Sequence, residues 1–180
     1  MIILVCGLSR SGKSSMIAAL AAEDPSVQHV SASRLLREAG RPIRHISKSD
    51  AILNQEILAV AVSRQSYAGS SFVLIDGHIL LETTSGPYLL DDAVLDSFAI
   101  EGIVFIHANQ QDVTNRRSGT DIEITPHKAR ELMELEGARA EEHARQRQIP
   151  FEKVSSGDIQ GLKQKLREMF KNKACGEAHR

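Results

Sequence analysis

The sequence is short of several things, and each shortage excludes a class of protein. Cysteine is scarce: Cys6 and Cys175 stand at opposite ends of the chain, without the spacing of a metal-binding cluster. That usage fits a reduced, cytoplasmic setting. Cys6 lies inside an apolar run and is expected as a small buried hydrophobe rather than a reactive thiol. Charge of one sign is not in excess, since 22 Lys and Arg against 23 Asp and Glu leave a formal net charge of -1. A general nucleic-acid binder carries a basic surplus, so no nucleic-acid partner is expected, although a local basic pocket is compatible. No apolar run approaches the roughly 18 residues that a membrane-spanning helix needs. The opening "MIILVC" has no basic leader, is shorter than a signal-peptide core and runs straight into a glycine motif. Repeats and low-complexity segments are missing too. What is present is an ordinary globular composition, 42% apolar and 25% charged over 180 residues. A chain of this length buries roughly 70% of its unfolded surface, enough for one domain with a real core.

Short β-like runs alternate with helical stretches, the pattern of a parallel sheet covered by helices. Strands are expected at 1–6, 27–31, 71–76, 102–108 and 150–155. The third and fourth are near-continuous apolar runs, as suits strands buried on both faces. Helices are expected in "GKSSMIAALAAE", in "SRLLREAG" with Gly40 as C-cap, and in "SKSDAILNQEILAVAVSRQ". In the last of these, Ile52, Leu53, Ile57 and Val60 recur at helical spacing. "TPHKARELMELEGARAEEHARQRQ" opens with Thr125 as cap and Pro126 at its first helical position. Leu132, Met133 and Leu135 are expected to face in, and its charges to be solvated. "HILLETTSGPYLLDD" reads as irregular, broken at Gly86-Pro87, and "IQGLKQKLREMF" closes the fold. One domain is expected over 1–173, with a flexible tail over 174–180.

The chemistry begins at "GLSRSGKS" (7–14): glycine, four residues, then Gly-Lys-Ser. Gly7 and Gly12 permit backbone angles that other residues avoid, so the loop wraps an anion. Successive amides then point inward, and the following helix adds the positive end of its dipole. The phosphate-binding set is Gly7, Ser9, Arg10, Ser11, Gly12, Lys13, Ser14 and Ser15. Lys13 would span the outer phosphates of ATP, and Ser14 would ligate Mg2+. An apolar strand ends at Gly7 and a good helix starts at Lys13, the frame in which this motif is specific. The second piece is "FVLIDGH" (72–78), an apolar strand ending in Asp76, placed to join Ser14 at the metal. His78, two residues on, would contact a phosphate or a catalytic water, or else be a structural histidine bonded to backbone. The fold class is therefore α/β: a three-layer P-loop NTPase fold with a five-stranded parallel sheet and helices on both faces.

Two P-loop classes fit poorly. A guanine-specific switch needs Asn-Lys-x-Asp where this chain has "NQQD" (109–112), and Asp-x-x-Gly where it has "DGHI" (76–79). A large oligomeric ATPase needs a long helical lid domain, for which 180 residues leave little room.

Four segments carry a resemblance. The P-loop starts within the opening residues; "HVSASRLLR" (29–37) follows the second strand; "IDGHILLETTSGPYLL" holds Asp76, His78 and Tyr88; and "NRRSGTD" (115–121) precedes a long helix. Together they resemble a nucleoside monophosphate kinase of the adenylate kinase superfamily, closest in layout to the archaeal type, over most of residues 1–170. The resemblance implies a small lid. It implies that Arg37 grips the acceptor's phosphate, with Ser31 and His78 on the acceptor side. It also implies that Arg116 and Arg117 close on the transferring phosphoryl group, and that Ser156 and Gly157, in "VSSGD" (154–158), lie under the donor adenine. The sequence departs from the family at Ala32, Ser33 and Arg34, and after Arg117, where further lid arginines are usual. Arg130 is a possible substitute. An exposed ion-pairing role for Arg116 and Arg117, and a solvated helix-end role for Arg37, are the plain alternatives.

The leading expectation is transfer of the ATP γ-phosphate to a nucleoside monophosphate, with Lys13, Arg116 and Arg117 catalytic and small nucleotides as partners. Such chemistry needs in-line placement and charge neutralisation more than covalent help. One rival is a regulatory ATPase read by a protein partner. Another is a kinase acting on a hydroxyl, which needs a base, and Asp76 or His78 could serve.

Overall fold

Strand β1 (Ile2–Cys6) is apolar throughout because both of its faces are covered. Leu4 and Cys6 enter one core cluster and Ile3 and Val5 the other, as alternation along a strand requires. Burial also pushes the Cys6 thiol up, so it stays protonated and serves as packing. In this computed structural model, residues 1–65, 67 and 69–177 are described, with side chains in the last helix as far as Lys171. After β1 come α1 (Lys13–Glu23), β2 (Val27–Ser31), α2 (Ala32–Glu38), α3 (Lys48–Ser63) and β3 (Phe72–Asp76). Then follow β4 (Leu80–Thr83), β5 (Gly86–Leu89), α4 (Asp92–Asp96) and β6 (Gly102–His107). The chain ends through α5 (Gln110–Arg117), α6 (Pro126–Arg147), β7 (Phe151–Ser155) and α7 (Ile159–Glu177).

Five strands form a parallel sheet in the order β2-β3-β1-β6-β7. Helices α1 and α7 cover one face through Met16, Ile17, Leu20, Leu162 and Leu166. On the other face lie α2, α3 and α6, with Leu36, Leu58, Leu132 and Met133 in the core. This is the expected three-layer P-loop fold. Register decides where the chemistry sits: Val5 lies beside Asp76 across the β1–β3 pair, so the P-loop and Asp76 leave the same carboxyl edge.

Local signals placed most helix ends. Helix α2 stops in a Schellman arrangement in which Gly40 N–H donates to the Arg37 carbonyl and Arg41 N–H to that of Leu36. Gly40 has φ +68 there. Ser47 and Asp50 form a capping box on α3, and Thr125 with Pro126 opens α6.

Four expectations need correction. The stretch after Asp76 is not irregular: β4 and β5 pair as an antiparallel hairpin, Leu80 opposite Leu89 and Thr83 opposite Gly86. Pro87 is tolerated because a two-stranded ribbon has edges that require no N–H. Of the expected stripe of α3, Ile52, Leu53 and Val60 face outward at 37%, 42% and 47% exposed, while Ile57 is half-buried against the core. The inward stripe is Ala51, Asn54, Gln55, Leu58 and Val62, which has the same periodicity. Leu135 is exposed on α6, whereas Glu136 is fully buried. Finally, α7 runs on to Glu177, so 174–177 are helical; residues 178–180 of the expected tail lie outside the described residues.

Candidate active site

The loop between β1 and α1 has the backbone its glycines foretold. Gly7 has φ +140 and Gly12 φ +97, and Arg10 is also left-handed at φ +68. A Cβ on Gly7 would stand 2.6 Å from the Ile106 carbonyl oxygen, so no side chain fits there. Lys13 is buried, and its Nζ donates to the Gly7 carbonyl and to that of Leu8 at 3.3 Å. Burial lowers the pKa of its amine, while the carboxylates of Glu136 and Asp76 oppose that shift. Ser11 is fully buried, and among the described residues its Oγ has no partner, while Ser9, Arg10, Gly12, Ser14 and Ser15 line the open side of the loop.

Asp76 closes the site from the end of β3. Its Oδ2 accepts from Ser14 Oγ at 2.5 Å and lies 3.4 Å from His29 Nε2. Burial pushes the Asp76 carboxyl up, but His29, Lys13 and Ser14 outweigh it and hold the group ionised. Two oxygen donors thus meet beside the phosphate loop, a set that suits a hard divalent cation sharing its remaining positions with phosphate and water. The pair fits Mg2+.

Glu136 was missed from the sequence. It comes from α6, is fully buried, and its Oε1 accepts from the Gly7 N–H at 3.2 Å and the Ile79 N–H at 2.9 Å. One carboxylate oxygen therefore ties the first P-loop glycine to the turn after β3. His78 Nδ1 lies 3.8 Å from the same oxygen, and among the described residues Oε2 has no partner. The clue was its place between Leu132, Met133 and Ala140 on the buried stripe of α6, beside Gly137. A side chain on Gly137 would press on the Phe105 ring at 3.0 Å, so α6 packs tightly at that turn.

The two adjacent arginines have different posts. Arg116 is exposed, lines the cleft, and donates from Nη1 to the Arg10 carbonyl at 3.1 Å. Arg117, by contrast, is wholly buried. Its Nε and Nη2 donate to the Ser9 carbonyl at 3.2 and 3.1 Å, and Nη1 and Nη2 grip the Glu82 carboxylate at 2.9 and 2.8 Å. That corrects the expectation for Arg117: its donors are spent on holding the P-loop to β4. Where the resemblance implied a lid, α5 and α6 are joined by the short segment 118–125. Asp121 there accepts from Arg44 at 3.1 Å and contacts His45 at 2.9 Å, bridging to the connection between α2 and α3. Arg130 is exposed and pairs with Glu134 along its own helix at 4.0 Å.

A single cleft of about 970 Å³ runs across these groups. At one end Ser156 and Gly157 form its edge, with the Ser156 N–H held by the His107 carbonyl at 2.7 Å. At the other, Ala32, Ser33, Arg37, Asn54, Gln55 and His78 face it. Arg37 is exposed, with Nη2 3.5 Å from Ser33 Oγ. Ser31 sits one step back: its Oγ accepts from the Arg34 N–H and caps α2 instead of lining the cleft. Tyr88 stays with β5, under Lys48 Nζ at 5.0 Å from its ring centre.

A family model described as an AAA domain matches residues 6–134, well over half of the chain. The chain belongs to this AAA-domain family. The P-loop lies inside the matched region, which β7 and α7 follow. No match was found among curated proteins. Among solved structures, the crystal structure of a gluconokinase from Sinorhizobium meliloti 1021 superposes with a TM-score of 0.57. The two are 17% identical, and the alignment covers 98% of this chain and 95% of that one. This likeness shows the fold. No helix among the described residues is long and apolar enough to cross a membrane.

Proposed function

We propose that this AAA-domain protein is an ATP-dependent phosphotransferase, with a nucleoside monophosphate as the best-supported acceptor. The carrying observation is one cleft lined by the phosphate loop after β1 and by two arms that follow the outer strands of the sheet, Ser156 and Gly157 after β7 and Ser33 and Arg37 after β2. The arm at Ser156 and Gly157 suits the donor base, and the arm at Arg37 suits the acceptor. Lys13 and the loop amides would hold the outer phosphates, exchanging the Gly7 and Leu8 carbonyls for phosphate oxygens. Ser14 and Asp76 would hold magnesium, which when bound neutralises charge between those phosphates. Arg37 would orient the acceptor, and Arg116 would meet charge on the transferring group. An acceptor phosphate oxygen then forms the new bond to the γ-phosphorus as the bond to ADP breaks. An ionised phosphate needs no base.

A coupled assay of ADP release with AMP, CMP, GMP, UMP, dTMP and gluconate tests the reading. Acceptor-dependent ADP release with a nucleotide supports it. Phosphate release that no acceptor changes would replace it with the regulatory ATPase reading and its protein partner. A specific observation favours a hydroxyl acceptor as the second reading: His78 faces the cleft with a buried carboxylate 3.8 Å behind it, as a base with its orienting group would stand.

A further inference from the structure

Helix α3 carries two apolar stripes, and the fold covers one of them. Ala51, Leu58 and Val62 are buried toward the sheet. On the other side Leu53, Ile57, Val60 and Ala61 follow at i, i+4, i+7 and i+8, the spacing of a second apolar face. Among the described residues, three of the five large apolar side chains left exposed are Ile52, Leu53 and Val60 of this one helix. Scattered apolar side chains on a surface need no explanation, but a group of them along one helix marks a contact surface. The outer stripe forms a groove of about 400 Å³, lined by its four apolar residues together with Glu56 and Arg64.

Those two charges say what covers the groove. Glu56 stands four residues before Val60 and Arg64 four residues after it, about 6 Å to either side along the helix axis. Both are exposed, and neither side chain has an ion-pair or hydrogen-bond partner among the described residues. A two-fold axis reverses the order of residues on the facing helix, so that each contact is made twice. With the axis beside Val60, Glu56 comes level with Arg64 of the partner subunit, and Arg64 with the partner subunit's Glu56. The apolar residues meet between these pairs, where charge would be unfavourable. We infer that the outer face of α3 is the contact between two copies of this chain, the two helices packing antiparallel about Val60. The inference is independent of the phosphotransfer reading. It bears on the cleft all the same, because Leu58 and Val62 of the same helix line it from the inner side.

Sedimentation velocity of the full chain, from about 1 to 500 μM, tests it. One helix pair lies at the small end of specific interfaces, so a dimer with Kd of about 1–100 μM is expected. Val60→Asp places two carboxylates against each other at the axis and should weaken the dimer about 100-fold or more. Its circular dichroism melt at the lowest concentration should match wild type, because the side chain is exposed in a single copy. Glu56→Arg alone, or Arg64→Glu alone, sets like charges level with each other twice and should weaken the dimer about ten-fold or more. Mixing those two single variants restores opposite charges at both pairs, so a heterodimer should form at concentrations where each variant alone is monomeric. Only an antiparallel pairing in this register makes that rescue. A dimer that survives Val60→Asp, or single variants that stay monomeric when mixed, would overturn the inference. So would a wild type that is monomeric throughout, which would leave the groove to a different protein.

Discussion

Replacing Glu136 with alanine should loosen the P-loop from behind, and the structure sets the size of the effect. The carboxylate accepts from two buried backbone donors, Gly7 N–H at 3.2 Å and Ile79 N–H at 2.9 Å. Each buried donor left without an acceptor costs about 1–3 kcal/mol, about 2–6 kcal/mol for the pair. Releasing a buried charge, one of whose oxygens has no partner among the described residues, offsets part of that, so a net loss of about 2–4 kcal/mol is expected. For a chain of this length, 1 kcal/mol moves Tm by about 2–4 °C, which puts the drop at about 4–16 °C. Glu136→Gln keeps an acceptor oxygen in place and should lose about 1 kcal/mol or less. Urea unfolding of the three proteins measures this directly, and ATP titration should show weaker binding in the alanine variant with recovery in the glutamine one. The pH dependence adds a sign. Burial pushes the Glu136 carboxyl up, but His78, Lys13 and the Ile79 N–H outweigh it and hold it below the usual glutamate range. A carboxyl depressed in the folded state stabilises at pH above its unfolded range, and that stability is lost as pH falls through the folded value. The gap between wild type and Glu136→Ala should therefore narrow in acid. Equal stability of the alanine and glutamine variants at neutral pH would refute the account.

Lys13→Met should abolish turnover in the coupled assay while the thermal melt is preserved or raised, because the change removes a charge whose burial is unfavourable. The neighbouring arginines should separate. Arg117→Ala leaves the Glu82 carboxylate and the Ser9 carbonyl without their donor and should cost about 3–5 kcal/mol in urea unfolding. Arg116→Ala should stay within about 0.5 kcal/mol of wild type, yet lower turnover by up to about 10³-fold; equal stability losses at the two positions would cancel the distinction. Arg37→Ala should raise the acceptor KM with the ATP KM unchanged, and an unaltered acceptor KM would discard its role.

Much of the frame could be read in the chain before any coordinates. The inner strands β1, β3 and β6 announced themselves through apolar runs, since a strand buried on both faces needs nothing else, whereas the edge strands β2 and β7 carry weaker, mixed patterns. The P-loop was legible because its glycines answer to backbone angles, a local requirement. Asp76 was legible because it ends an apolar strand. Helix periodicity did not reveal which of two stripes on α3 would turn inward, since both repeat at the same interval. Nor did a row of charges on α6 show that Glu136 is buried, or that Arg117 is buried while Arg116 beside it is exposed.

The sequence by itself determined the strand and helix alternation, the phosphate loop and its lysine, because those depend on short-range spacing and on φ angles only glycine adopts readily. The tertiary structure decided that Glu136 ties the loop to the turn after β3, that Arg117 anchors and Arg116 faces the cleft, and that Gln55 lies inside. Each of those depends on how a helix is rotated against the sheet. That rotation is set by packing between residues far apart in the chain.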